Sequence, residues 1–374
     1  MEPTDYAHLG PFSDIVDAAR RGWPLFPRAA PGAATQARLR EILAFGDADE
    51  RPIAPQTDDA WERDGVAGEA VSWSVGYGPR TEAWLLRPAG ERGRLPGALA
   101  LHDHGGFKFY GKEKIADGRG ETPAALLPFR EIYYGGLAYA NELARHGFAV
   151  LIHDTFLWGS RRFPLGAMPT QIAALADGAA DEALGYNEAA GPHEHVVEKY
   201  CTVLGTSMAA VVSREDRIAA NYLLGRDDVD AGRVGCIGLS GGGNRAALLL
   251  ATHDQIAAAA IVGLMTTYAG LLDHNVQSHT WMLFPPGWAR HGDWPDIAAC
   301  RAPLPLLVQY ALDDELFTRE GMRAAHERLT EHYTGADGSY TGSFYPGPHA
   351  FDGTMQREAF AWLRRWLAMP RDMS

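Results

Sequence analysis

Short apolar runs alternate with amphipathic stretches along most of the chain after residue 95. The apolar runs have the length of buried strands, and the stretches between them carry apolar residues at helical spacing. We predict strands at residues 98–101, 148–152, 234–239, 257–264, 304–310 and 340–345, and helices at residues 137–146, 214–224, after 245 and around 360. Strands that are apolar on both faces and separated by helices are typical of a parallel sheet. The pattern predicts an α/β fold with a mostly parallel central sheet and helices on both faces.

The first part of the chain has a different pattern. Residues 12–16 and 35–43 are amphipathic, a proline-rich segment separates them, and no strong strand pattern is present. We therefore predict that residues 1–65 form an N-terminal helical extension packed on the core. Residues 66–374 are predicted to form the α/β domain itself.

The α/β domain begins with a hairpin and is interrupted three times. Residues 71–75 and 82–86 alternate apolar and polar positions, which predicts two antiparallel strands. Insertions near 107–130, 155–213 and 266–300 break the alternation of strands and helices. Long insertions at the carboxyl ends of parallel strands are usually functional loops, so we expect lids over a site at that edge.

The composition is that of an acidic globular protein. The formal net charge is −13, and because an acidic surface repels nucleic acid and anionic membranes, we expect neither as a partner. The three cysteines, Cys201, Cys236 and Cys300, are far apart and odd in number, which argues against a disulfide framework. Residues 1–5 lack the features of a signal peptide, and no apolar run is long enough to span a bilayer. We therefore expect a cytoplasmic protein.

The motif with the clearest chemistry is Gly-Leu-Ser-Gly-Gly at residues 238–242. It lies between an apolar strand and an alanine- and leucine-rich helix, the context in which a G-x-S-x-G pattern presents a serine nucleophile. The flanking glycines leave room for the strand and the helix to pass closely. The alternative is a glycine-rich turn with an idle serine, so the role of Ser240 depends on its partners. Cys236, within the strand, is predicted to be a packing residue.

A serine nucleophile needs a base, and the base needs an acid that orients it. In a parallel sheet these groups follow neighbouring strands at their carboxyl ends. His349 follows the last predicted strand in a Pro-Gly-Pro-His loop and is the predicted base. Asp313 and Asp314 both follow the strand before it, and adjacent residues at a strand end point in opposite directions. Periodicity alone leaves the choice between these two carboxylates open.

A serine hydrolase also needs two backbone N–H groups that bind the developing oxyanion. One is expected from Gly241, the residue after the serine. The other is expected from residues 102–106, His-Asp-His-Gly-Gly, where His104 or Gly106 is suitable. For Asp103 in the same loop, a role in ordering the site and a merely structural role are both open.

Two histidine pairs raise the question of a metal site. The pair at residues 102 and 104 lacks a third nearby ligand. Residues 193–195, His-Glu-His, lack the spacing that places two ligands on one helical face. We interpret residues 193–195 as a solvated cluster within an insertion and predict no metal site.

These segments together resemble the α/β-hydrolase superfamily, and within it the dienelactone hydrolase-like and acetyl xylan esterase-like branch. The resemblance covers about residues 70–370 and is carried by residues 101–106, 228–242, 311–318 and 346–349. It implies an α/β-hydrolase fold and a Ser-His-Asp triad. In that branch the acid lies three residues after a small residue and three before an apolar one, which favours Asp314. The resemblance likewise implies His104 as the second oxyanion donor, through its backbone.

One departure from the family bears on the reaction. Dienelactone hydrolase itself uses a cysteine nucleophile, whereas the elbow residue here is Ser240. The sequence therefore predicts a serine hydrolase that cleaves a carboxylic ester of a small or medium-sized substrate through an acyl-enzyme, without a cofactor. The alternatives are an amidase, a peptidase or a carbon–carbon bond hydrolase on the same triad, and a non-catalytic binding protein with this fold.

The insertions are expected to determine which substrate binds. Aromatic side chains above a catalytic serine favour an apolar or sugar-stacking pocket, and we expect Phe107, Trp158 and Trp281 to line it. Packing of these side chains against the domain is the alternative. The expected partner is a small-molecule ester, and a homo-oligomer is compatible with the sequence.

Overall fold

The computed structural model describes residues 6–47, 49–273, 275–336 and 338–367. Residues 1–5, where the absence of a signal peptide was predicted, lie outside these ranges. The described strands are β1 Ile53–Arg63, β2 Val66–Ser74, β3 Thr81–Pro88, β4 Leu95–Leu101, β5 Ala149–His153, β6 Val229–Leu239, β7 Ile256–Val262, β8 Leu306–Ala311 and β9 Tyr340–Tyr345. The described α-helices are α1 Ile15–Gly22, α2 Ala33–Ile42, α3 Leu126–Tyr134, α4 Tyr139–Arg145, α5 Thr170–Ala173, α6 Glu182–Val203, α7 Met208–Leu224, α8 Gly241–Thr252, α9 Tyr268–Leu271, α10 Trp294–Ala298, α11 Arg319–His332 and α12 Gly353–Leu367.

The strands form one sheet in the order β1-β2-β3-β5-β4-β6-β7-β8-β9. From β5 to β9 each neighbouring pair is parallel, whereas β1, β2 and β3 are joined to one another and to β5 by antiparallel pairing. The mostly parallel sheet is therefore confirmed. The predicted hairpin is confirmed as well, with Val71 opposite Ala83 in the β2–β3 pair.

Helices cover both faces of the sheet, as predicted. Along β4, Leu99 and Leu101 belong to the buried cluster shared with α2, α7, α8, α10 and α11. Ala98 and Ala100 belong to the cluster on the other face, shared with α3, α4 and α12. Successive strand residues point to opposite faces, so a strand covered on both sides is apolar at every position. This explains the continuous apolar runs in the sequence.

The prediction of a helical segment over residues 1–65 is wrong for residues 53–63, which form strand β1. Almost every side chain of this edge strand is exposed, so it carries no alternation of apolar and polar residues. A local signal was nevertheless present in the Asp64–Gly65 pair, which joins β1 to β2. Both residues have positive φ, 51° and 76°, as a two-residue hairpin turn of the Asp-Gly type requires.

The second insertion is largely helical. It contains α5, α6 and the first residues of α7, which begins at Met208 rather than at the predicted residue 214. The Asp181 carboxylate accepts the N–H groups of Ala183 and Leu184 and so caps the start of α6. Within the described ranges, no helix is both long and apolar enough to cross a membrane.

Candidate active site

Ser240 lies in a sharp turn between β6 and α8. Its φ and ψ are 55° and −120°, a backbone conformation that residues other than glycine rarely adopt. A Cβ atom on Gly238 would lie 2.4 Å from the carbonyl carbon of Gly242, and one on Gly242 would lie 2.1 Å from the oxygen of Leu101. Only glycine fits at these two positions, so the motif folds into the tight strand–turn–helix connection that was predicted.

His349 is paired with one of the two candidate acids. Its Nδ1 lies 2.5 Å from Oδ2 of Asp314, and because a carboxylate only accepts, the imidazole donates. Asp314 is buried, and its Oδ1 accepts the N–H of Leu316 at 2.9 Å. Asp313 points away and forms an ion pair with Arg319 at the surface. Of the two adjacent carboxylates, Asp314 is therefore the one that faces the histidine, as the family resemblance implies.

The backbones of Gly241 and His104 are in direct contact. A Cβ atom on Gly241 would lie 2.6 Å from the backbone nitrogen of His104. Among the hydrogen bonds of the described residues, neither of these N–H groups has a protein acceptor. An oxyanion hole needs two such N–H groups close to the nucleophile.

A buried lysine holds the loop that carries His104. The Nζ of Lys114 donates to the backbone oxygen of Asp103, to its Oδ2 at 3.2 Å and to the backbone oxygen of His104 at 3.2 Å. The hydroxyl of Tyr134 donates to Oδ1 of Asp103 at 2.5 Å. Lys114, Asp103 and Tyr134 are all buried. Asp103 thus ties the loop to α3 and to the first insertion, and its carboxylate is fully engaged in doing so.

A second buried ionic group contacts the chain where β4 ends, just before the loop that carries His104. Arg245 on α8 forms a two-pronged ion pair with Asp216 on α7, and its Nη1 donates to the backbone oxygen of His102 at 3.1 Å. His153 also contacts Asp216, at 2.9 Å. Sequence reasoning missed this group, because its members are separated by at least 29 residues along the chain.

The interpretation of residues 193–195 as a solvated cluster is wrong for Glu194. Its side chain is buried, and its Oε2 accepts from Nε2 of His104 at 2.8 Å and from Nζ of Lys108. Lys108 is itself 2% exposed. His193 is also buried, whereas His195 is exposed. Charged residues within an insertion suggested contact with solvent. Nothing in the local sequence reveals that Lys108, 86 residues away, pairs with the Glu194 carboxylate.

Ser240, His349, His104 and Gly241 line one cavity of about 200 Å³. The third insertion contributes Ser278, His279, Thr280 and Leu283 to the lining. This is smaller than the roughly 300–1,000 Å³ of pockets that hold drug-sized ligands. The space beside Ser240 therefore accommodates a small group.

None of the three aromatic residues expected in the pocket is among its lining residues. Phe107 is buried and stacks on Phe129. Trp158 is buried with its ring against the imidazole of His104, at a centroid distance of 5.3 Å. Trp281 is 39% exposed, and its Nε1 donates to His195 at 2.9 Å. The position of these residues after strands was correct, but the direction of each side chain is set by packing within the insertions.

His279 is a pocket residue that sequence reasoning missed. Its Nε2 donates to the backbone oxygen of Leu316 at 3.0 Å, and its ring stacks on Phe317 at 4.7 Å. Burial lowers the pKa of His279 to about 4. The ring is therefore neutral at neutral pH, and its Nδ1 carries a lone pair that accepts hydrogen bonds.

Comparisons with known proteins bear on the fold. No protein-family model matches the chain. YtaP of Bacillus subtilis, provisionally classed as a hydrolase, is 24% identical over 324 residues, which span 85% of this chain and 94% of YtaP. A Bacteroides fragilis structure provisionally classed as an acetyl xylan esterase superposes with a TM-score of 0.64 at 16% identity, covering 84% of this chain and 73% of that one. The chain has the α/β-hydrolase fold.

Two further α/β-hydrolase structures are similar to it. A glucuronoyl esterase from Solibacter usitatus superposes with a TM-score of 0.61 at 15% identity, over 92% of this chain and 99% of that one. A promiscuous CE15 esterase from a marine bacterial metagenome gives 0.60 at 13% identity, over 93% and 98%. Within this fold, five residues named from the sequence meet at the carboxyl ends of the parallel strands: Ser240, His349, Asp314, His104 and Gly241.

Proposed function

We propose that this protein is a serine esterase that hydrolyses carboxylic esters with a small acyl group. The observation that carries the proposal is the pairing of His349 with buried Asp314 in the same cavity as Ser240 and two unpaired backbone N–H groups. A serine without a catalytic role on a glycine-rich turn would not require a paired histidine and carboxylate or two unpaired N–H groups beside it. The esterase neighbours and the provisional hydrolase class of YtaP support the same conclusion.

In the proposed reaction, Ser240 Oγ attacks the carbonyl carbon of the ester while Nε2 of His349 takes the hydroxyl proton. The carbonyl electron pair moves onto oxygen, where the N–H groups of His104 and Gly241 bind it. When the carbonyl re-forms, the alcohol leaves with the proton returned by His349. Water then attacks the acyl-serine by the same route and releases the acid. Asp314 holds the imidazole in place and stabilises its positive charge in both halves.

The size of the cavity favours a short acyl chain. A cavity of about 200 Å³ that also contains the reacting carbonyl leaves little room for a long chain. The third insertion lines the cavity with the hydroxyl of Ser278 and the imidazole of His279. Such groups suit a polar alcohol, because they can replace the hydrogen bonds that its hydroxyl groups make with water.

Two measurements test this proposal. A fluorophosphonate should label the wild-type protein at Ser240 and should not label Ser240→Ala, since only an activated serine reacts. p-Nitrophenyl acetate should then be hydrolysed with a higher kcat/KM than the butyrate or octanoate, and p-nitroacetanilide should be a poorer substrate. A wild-type protein that resists the label and hydrolyses none of these esters would be a binding protein with this fold. A preference for the octanoate would refute the small acyl group.

A further inference from the structure

Glu194 contacts two walls of the cavity at once. It lies on α6, outside the set of residues that the proposed reaction uses, and its side chain is 6% exposed. Its Oε2 accepts from His104, which carries an oxyanion N–H, and its Oε1 accepts from Oγ1 of Thr280 at 2.8 Å and from the N–H of Trp281 at 3.2 Å. His104 and Thr280 line the cavity from two segments that are far apart in the sequence. One buried carboxylate therefore joins the oxyanion loop to the third insertion.

On the oxyanion side, both nitrogens of the His104 ring are engaged. Nε2 donates to Glu194 at 2.8 Å, and Nδ1 accepts the backbone N–H of Gly106 at 3.1 Å. The ring also packs edge-on against Trp158. A ring held at both nitrogens and on one side fixes the rotamer of its residue, and so restrains the backbone N–H that belongs to the same residue.

In the third insertion, Glu194 anchors a segment that lines the cavity. The Thr280 hydroxyl donates to Glu194 and also accepts the N–H of Met282 at 3.3 Å, capping a short turn. Ser278 and His279 precede this anchor directly, and Leu283 follows it. Without the carboxylate, the N–H of Trp281 and the Thr280 hydroxyl would lose their acceptor, and the wall would lose its connection to α6.

The charge of Glu194 is maintained by Lys108. Burial acts to raise the pKa of Glu194, but the Lys108 ammonium and the His104 ring hold that pKa well below its usual range. Lys108 is buried as well, and its Nζ also donates to the backbone oxygen of Ala190 at 3.2 Å. An ionised carboxylate accepts at all four contacts, which a neutral acid or amide does not.

We propose that Glu194 is a positioning residue for the esterase site, setting the oxyanion N–H of His104 and the wall at Thr280 relative to each other. The proposal rests on the proposed function. An oxyanion donor acts on the transition state more than on the bound ester, so displacing it lowers kcat and leaves KM nearly unchanged. A residue that only stabilised the fold would change the amount of active protein and not the kcat of each active molecule.

The test compares Glu194→Gln with a matched control, Glu215→Gln. Glu215 is also buried, pairs with a buried cation, Arg161, and accepts from Tyr77 and from the N–H of Phe156, but none of these residues lines the cavity. Both substitutions place an amide where every partner is a donor. Hydrolysis of p-nitrophenyl acetate is measured per active site, with sites counted by fluorophosphonate titration, and binding of a trifluoromethyl ketone is measured alongside.

In Glu194→Gln we expect kcat per active site to fall about tenfold or more, as for a misplaced oxyanion donor. Binding of the trifluoromethyl ketone, which forms a tetrahedral adduct, should weaken in proportion to the fall in kcat, while KM stays nearly constant. Glu215→Gln should lose thermal stability and keep its kcat per active site. Unchanged kcat and ketone binding in Glu194→Gln, or an equal loss in Glu215→Gln, would overturn the proposal.

A second variant keeps the test decisive if Glu194→Gln does not fold. His104→Ala keeps the backbone N–H and removes the partly exposed ring through which Glu194 acts. It should show the same fall in kcat and in ketone affinity, and full activity in His104→Ala would contradict the proposal. If the wild-type protein is inactive and unlabelled, the proposed function fails; if it is active and these variants match it, only the role of Glu194 fails.

Discussion

The backbone at Ser240 should store strain that a glycine would release. With φ at 55° and ψ at −120°, the residue occupies a region where a side chain costs roughly 1–3 kcal/mol. Glycine adopts this conformation freely, but its greater freedom in the unfolded chain costs about 0.5–1 kcal/mol relative to alanine. The midpoints of these two ranges predict that Ser240→Gly is more stable than Ser240→Ala by about 1 kcal/mol.

The two variants differ only in the Cβ atom, and neither has the Ser240 hydroxyl. Unfolding free energies from urea titration, supported by calorimetry, measure the difference. An unfolding entropy of about 2.1 cal/mol/K per residue over the whole chain makes the expected rise in Tm roughly 1 °C. Ala324→Gly, at an exposed position in α11, serves as the control for the entropic cost and should lose about 0.5–1 kcal/mol. If Ser240→Gly is no more stable than Ser240→Ala, the turn is not strained and the reasoning is refuted.

Two further predictions concern the acid and the pH dependence. Asp314→Asn should lower kcat about 10³–10⁴-fold, because the imidazole loses the carboxylate that orients it, whereas Asp313→Asn, the neighbouring control, should change kcat little; equal losses in ester hydrolysis would contradict the assignment. Burial lowers the pKa of His279 from 6.5 to about 4. Between these two pH values His279 binds a proton in the unfolded chain but not in the folded one. Stability should therefore fall as the pH drops from above 6.5 toward 4, by at most about 3 kcal/mol for this residue. His279→Gln should have a flatter profile in urea titrations at several pH values; an unchanged profile would show that other groups govern the dependence.

The fold and the candidate site residues could be predicted from the sequence because each is a local pattern. The apolar runs reflect strands covered on both faces, and the glycines at 238 and 242 are required by contacts of their own turn. His349 was identified by its position after the last strand. Asp314 was preferred to Asp313 because of the residue spacing in the family that the chain resembles. In the structure the two side chains leave the strand end in opposite directions, and only Asp314 faces His349.

The supporting groups were not readable, because they are pairs between distant segments. Lys108 and Glu194 lie 86 residues apart, and each alone looks like a solvated residue of an insertion. Arg245 follows Ser240 closely in the sequence, but nothing local reveals that it is buried against Asp216. The prediction for the aromatic residues failed for a related reason. Trp158 packs against the loop that carries His104 and does not line the cavity, and the direction of its side chain depends on how the insertions pack.

The exposed strand β1 has a consequence for how copies of this protein meet. Its free edge borders the sheet, and such edges can recruit a strand from another chain. β1 is poorly suited to that, because it carries Pro55, charged side chains such as Asp58 and Glu62, and two irregularities in its pairing with β2. The strand behind it, β2, is largely buried and would offer a regular apolar edge. The segment that was predicted to be helical thus forms an edge that is poorly suited to pairing with another chain on this side of the sheet.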